Sequence, residues 1–131
     1  MTTLKELSAL LDAATGPSQE LDADLAEAFG FKVWWRQAVG TMEAFPVWDG
    51  PYGVEPCWKL SSSIDAALAL VERLIPRAQY AIDTFSGPRA SVNQLDENGD
   101  WSGRVCAAPT APLAILRALV DALIAQEKDH E

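Results

Sequence analysis

The chain has 131 residues, 49% of them hydrophobic and 22% charged, and carries a formal net charge of −9 from 10 basic and 19 acidic side chains. That length supports one domain with its own core and is short for two, and the composition is globular, not disordered. The acidity argues against direct binding of nucleic acid, which needs clustered Lys and Arg, and against anionic membrane surfaces.

The first segment, "TTLKELSALLDAATGP", places Leu4, Leu7, Leu10, Leu11 and Ala14 at helical spacing. Thr2 or Thr3 can cap this helix, and Gly16-Pro17 ends it. With one lysine and an amphipathic pattern the segment is no secretory signal. No apolar run anywhere approaches the roughly 20 residues of a membrane span, so a cytoplasmic protein is expected. Ser18 then caps a second helix with Leu21, Leu25, Ala28 and Phe29 as its apolar face and Gly30 as its stop.

"FKVWW" is aromatic and β-branched and reads as a strand. Alternation sends Trp34 and Trp35 to opposite faces. A structureless loop over residues 36 to 57 would be unusually long for a compact domain. A short strand is therefore expected around Ala44 to Trp48, then the turn "DGPYG", with "CWKLS" as another extended piece.

"SSSIDAALALVERLI" predicts a helix opened by Ser62 and Asp65 as a capping box, with Ile64, Leu68, Val71 and Ile75 on its apolar face and Pro76 as its stop. "AQYAIDTF", "RASVNQL" and "WSGRVCAA" alternate as strands do, and Asn98-Gly99 marks a hairpin turn. "PTAPLAILRALVDALIAQEKDHE" predicts a closing helix, with Thr110 as cap, Pro112 in the first turn, Leu113, Leu116, Val120, Leu123 and Ile124 apolar, and residues 127–131 as a frayed tail. Hairpin-linked strands with helices before and after give an α+β fold in one domain, 1–131, a mostly antiparallel sheet layered between helices as an α/β/α sandwich.

Little in this chain resembles a reactive centre. Cys57 and Cys106 lie far apart without a C-x-x-C spacing and read as free thiols in the core. The single His130 sits in the terminal "EKDHE", and a zinc site needs several such donors. There is no phosphate-binding glycine loop and no dinucleotide fingerprint. Ser61, Ser62 and Ser63 read as helix caps, not nucleophiles. No cofactor, metal or enzyme activity is expected.

The blocks "ATGPSQELDADLAEAFGF", "SSSIDAALALVERLI" and "AAPTAPLAILRALVDAL" together resemble the phage ABA-sandwich domain family, small proteins encoded by phages and prophages. In that family a Gly-Pro-acid turn leads into an "LDA-IAEALG" helix, a Ser/Thr-rich start opens a middle helix, and a "TAPLAICRAAL" helix closes the domain. This chain departs in "WDGPYGVEPCWK", which is richer in Trp and Pro, and in Leu116-Arg117, where a Cys-Arg pair is common. The resemblance implies an α/β/α layered domain, a mobile-element origin and so a bacterial host cytoplasm. It implies no activity and carries over no catalytic residues.

Two clusters are candidates for function. Between Glu6 and Phe31 there are six acidic residues and no basic one, and Glu20, Asp24 and Glu27 fall at spacings of 4 and 3 on one face of the second helix. A row of carboxylates can imitate phosphates and occupy a basic groove, although such runs are commonly just solvated faces. Trp34, Trp35, Phe45, Trp48, Tyr52 and Trp58 fall within 25 residues around three prolines, more rings than one small sheet face easily buries. Some would serve as interface anchors.

The leading expectation is a non-catalytic module binding a host protein or nucleoprotein complex with a basic surface, an inhibitor of a host defence complex of the anti-CRISPR type. Its partner-binding residues would be Glu20, Asp24, Glu27, Trp48, Asp49 and Tyr52. A second reading is a small hydrolase or sugar-binding protein using loop 43–58, where Glu43, Asp49 and Glu55 supply carboxylates. A third is a self-associating accessory or structural subunit, a homodimer formed through the aromatic loop.

Overall fold

A computed structural model describes residues 3–37, 44–50, 53–83, 87–95 and 98–129. Among these residues four helices, α1 (Leu4–Ala13), α2 (Gln19–Ala28), α3 (Ile64–Leu74) and α4 (Ala111–Asp129), combine with seven strands: β1 (Lys32–Gln37), β2 (Ala44–Gly50), β3 (Gly53–Pro56), β4 (Gln79–Asp83), β5 (Arg89–Leu95), β6 (Trp101–Ser102) and β7 (Val105–Ala107). The fold is α+β, with every strand pair antiparallel and layered against helices. The strands form two sheets where the sequence suggests one. The first has the order β1-β2-β3, and in the second β5 is flanked by β4 on one side and by β6 and β7 on the other. Each sheet grows from hairpins local in sequence, and α3 separates the two sets.

The helix starts follow from their caps. Thr3 Oγ1 accepts from the Glu6 N–H at 3.2 Å, Ser18 Oγ from Leu21 at 3.3 Å and Ser63 Oγ from Ala66 at 3.2 Å, each satisfying a donor with no intrahelical partner. The cap of α3 is thus Ser63 and not Ser62, whose hydroxyl donates to the Lys59 carbonyl at 3.4 Å. α2 ends as Gly30 takes φ +95°, which lets the Phe31 N–H reach back to the Ala26 carbonyl at 3.0 Å.

The extended piece expected at "CWKLS" lies earlier, at Gly53–Pro56, and residues 57–63 are a loop with a turn at 60–62. A tight hairpin pairs Gly50 with Gly53, as the turn residues predict. "WSGRVCAA" is broken into β6 and β7 around Gly103, where a Cβ would run into the Val92 carbonyl and the Asn93 side chain.

α4 is the centre of the molecule. Leu113, Ala114, Ile115, Leu116, Ala118, Leu119 and Val120 are all buried, because α1, α3, β5 and β7 pack around it. A helix apolar over most of its circumference is a core helix. Its half-exposed polar stripe, Arg117 and Asp121 at i,i+4, pairs with Asp12 at 2.5 Å and with Arg104 at 3.7 Å. Within the second sheet, Ala90 and Val92 on β5 face this core. α2 packs instead on β1 and β2, and α1 joins α2 to α4.

On α3 the buried residues are Ala67, Leu70 and Val71, with Ile75 just beyond. Ile64 is 41% exposed, so the buried face is rotated from the one its large side chains suggest. α4 continues to Asp129; His130 lies outside the described residues. No described helix is long and apolar enough to cross a membrane.

Candidate functional site

The capped start of α2 fixes where its acids stand. Glu20 and Glu27 are exposed and Asp24 is half-buried, on the side of the helix away from the buried Leu21 and Leu25. Partial burial raises the Asp24 carboxyl above its ordinary value, and the charges of Glu27 and Glu20 raise it further. Next to them, the end of α1, the Gly16-Pro17 elbow and the first turns of α2 enclose a groove of about 390 Å³. Its lining includes Leu10, Ala13, Pro17 and Leu21, with Glu20 and Asp24 on the same wall.

Asp22 does not belong to this face. It is 4% exposed and accepts the Ser61 N–H at 2.7 Å. Ser61 is fully buried; its Oγ accepts from the Ser18 N–H at 2.9 Å and donates to the Ser18 carbonyl at 3.1 Å. This clasp ties the start of α2 to the turn before α3, 43 residues along the chain. Burial pushes the Asp22 carboxyl up, against the opposing pull of the Ser61 hydrogen bonds and the Lys59 charge. The same burial, with the Asp22 charge beside it, pushes the Cys57 thiol up to about 12. Cys57 and Cys106 are both free; Cys57 is buried and Cys106 half-buried. Thiols so shifted are protonated and poor nucleophiles at neutral pH.

The aromatic segment resolves into a core. Trp48, expected at a partner surface, is fully buried. Its ring lies 4.7 Å from Phe31 and 5.0 Å from Trp58, centroid to centroid, and packs with Ala26 and Cys57 between α2 and the first sheet. Glu55 closes the cluster: one carboxylate oxygen accepts the Trp58 Nε1–H at 3.0 Å and the Trp48 Nε1–H at 3.4 Å. Trp34 is half-buried and Trp35 is 47% exposed, consistent with opposite faces of β1.

Searches of protein-family models, of curated proteins and of solved structures each returned no match.

Asp49 and Glu55 are not brought together. Glu55 is paired with Trp48 across the hairpin, so the two share a face, and the neighbouring Asp49 points to the other face. Two carboxylates on opposite sides of a sheet cannot flank one bond, and Glu55 is already held by two indoles. Asp49 is exposed, between Lys32 on β1 and Val54 on β3. Glu43 and Tyr52 lie outside the described residues. Among the described residues no three His, Cys, Asp or Glu side chains gather as a metal site, and every buried polar side-chain atom has a partner.

The sequence thus brings forward three residues that share one surface, Glu20, Asp24 and Glu27, and one, Trp48, that is core. It does not single out Asp22, although the apolar Leu21, Ala23 and Leu25 around it mark a helix buried on a broad side.

Proposed function

We propose that this chain is a non-catalytic protein-binding module that docks on a basic surface through the exposed acids of α2. The observation that carries the reading is the shared wall of Glu20 and Asp24 on an open groove of mixed polar and apolar lining, with Glu27 one turn further on. Carboxylates held this close repel one another by a few tenths of a kcal/mol per helical pair. A cationic partner relieves that repulsion, which gives the surface electrostatic selectivity and a faster encounter. A net charge of −9 adds long-range attraction to the same class of partner.

The resemblance to phage ABA-sandwich proteins supports a mobile-element origin. In that setting the basic partner would be a host protein or nucleoprotein complex, and occupying its nucleic-acid groove would inhibit a defence complex. The chain would act in the bacterial cytoplasm, without a cofactor.

The test compares wild type with a triple variant, Glu20→Lys, Asp24→Lys and Glu27→Lys, each immobilised against nuclease-treated bacterial lysate. A partner held by wild type, lost from the variant and displaced by added duplex DNA supports the reading. Equal retention by both, or retention indifferent to DNA, counts against it.

A further inference from the structure

Among the described residues the two sheets have four outer edges, and three are protected against further pairing. β1 carries Lys32 and Arg36, β3 ends in Pro56, and β6 and β7 are two and three residues long with Gly103 between them. Charges, proline and short interrupted strands are the usual means of blunting an edge. β4 has less of this protection, its one charge being Asp83 at its last position. It pairs with β5 over five consecutive residues without a bulge, and its sequence QYAID contains no proline, glycine or lysine.

All five residues of β4 are exposed. Tyr80 and Ile82 stand opposite Val92 and Ala90, so they share the face that covers α4. Yet Val92 and Ala90 are 1% and 2% exposed, while Tyr80 and Ile82 are 42% and 36% exposed. The core-facing row of the sheet thus runs on to an exposed strand, β4, which among the described residues pairs with β5 alone.

We propose that β4 pairs with β4 of a second copy of this chain, antiparallel about a two-fold axis at Ala81, so that the two second sheets become one. The strand is complementary to itself in this register. Tyr80 of each copy meets Ile82 of the other, an aromatic against a β-branched side chain on the uncovered face. Gln79 meets Asp83, so no like charges face each other, and Ala81 meets Ala81. A contact in which residue i meets j and j meets i is what a closed two-fold dimer requires. This surface is separate from the acids of α2.

The test is sedimentation of the full chain in about 0.15 M salt, where the mutual repulsion of two acidic copies is screened within about 8 Å. Wild type should move with concentration from 14.2 kDa towards twice that mass. Ala81→Lys and Ala81→Glu each place like charges across the axis and should stay monomeric. An equimolar mixture of the two should recover the doubled mass, and Ala81→Ser should behave as wild type. Circular dichroism of each variant checks folding, which an exposed position leaves intact. A wild type that stays monomeric at its highest soluble concentration overturns the proposal. So does a dimer that survives Ala81→Lys, or a mixture of the two charged variants that fails to associate. The α2 triple variant should dimerise as wild type does, which separates this contact from the partner surface.

Discussion

At the scale of single residues, the molecule spends its ionisable groups inside as connectors. Glu55 holds two indoles with one oxygen. Removing a partner from a buried donor costs about 1–3 kcal/mol. Glu55→Ala should therefore lower stability by an amount in that range, while Glu55→Gln, which keeps an acceptor at the same reach, should lose less than half as much. Urea unfolding followed by tryptophan fluorescence measures both; equal losses would mean the indole hydrogen bonds contribute little. Asp22 presents the opposite case, since burial raises its carboxyl. A raised folded pKa favours the protonated form, so its contribution to stability is complete below the unfolded value of about 3.9 and is lost as pH rises through the folded value. Asp22→Asn keeps an oxygen for the Ser61 N–H and removes that titration. The stability of wild type minus that of Asp22→Asn should thus fall as pH rises from the acid side towards neutrality. Thermal melts across that range would show it, and a difference that does not change with pH would refute the buried-charge account.

At the scale of elements, the break between β6 and β7 is a packing event. A Cβ at Gly103 would overlap the Val92 carbonyl, which cannot swing aside as a side chain can. Gly103→Ala should cost about 1–3 kcal/mol as an overpacked site and should loosen one edge of the second sheet. Hydrogen exchange should then speed up in β6 and β7 while α2 keeps its protection, since openings are local and cooperative. Uniform acceleration would instead mean that the edge unfolds with the whole molecule.

The elements themselves were largely legible, because caps, glycine stops and hairpin turns are local chemistry. Thr110 does cap α4, and its hydroxyl accepts the Leu113 N–H at 3.5 Å. What was not legible is what depends on distant contacts. The division into two sheets turns on pairings no local pattern reports. The small side chains of Ala26 and Ala67 are fully buried because Trp48 and the core around α4 come close to them. Neighbouring serines 61, 62 and 63 look alike in sequence, and only the fold assigns them to a clasp, a turn and a cap. Of the candidate site, the α2 acids could be read from spacing alone. The fate of Trp48 could not, because an aromatic suits a core and an interface equally well.

At the scale of the whole molecule, charge opposes the compact state. Nineteen acids against ten bases leave −9, and folding draws those charges together. The ion pairs offset little of this. Arg104–Asp121 spans 3.7 Å with Arg104 largely exposed, and pairs of that kind contribute about 0–1 kcal/mol. Arg117 is the stronger connector, because it meets Asp12 and also donates to the Ala107 carbonyl, joining α1, α4 and β7. Salt weakens attraction and repulsion alike, so the sign of its effect tells which prevails. The Debye length falls from about 30 Å at 0.01 M to about 8 Å at 0.15 M, a distance that removes repulsion across the molecule but not the contact at Arg117. The melting temperature should therefore rise over that range of sodium chloride, with most of the rise complete by its upper end. Lysine substitution at Glu20, Asp24 and Glu27 lowers the net negative charge from −9 to about −3, by two units at each of three sites. That variant should melt higher than wild type at low salt and show a flatter salt dependence. A melting temperature that falls on adding salt would mean that local ion pairs outweigh the net charge, and the repulsion among the α2 acids would then lose its place as the reason they favour a cationic partner.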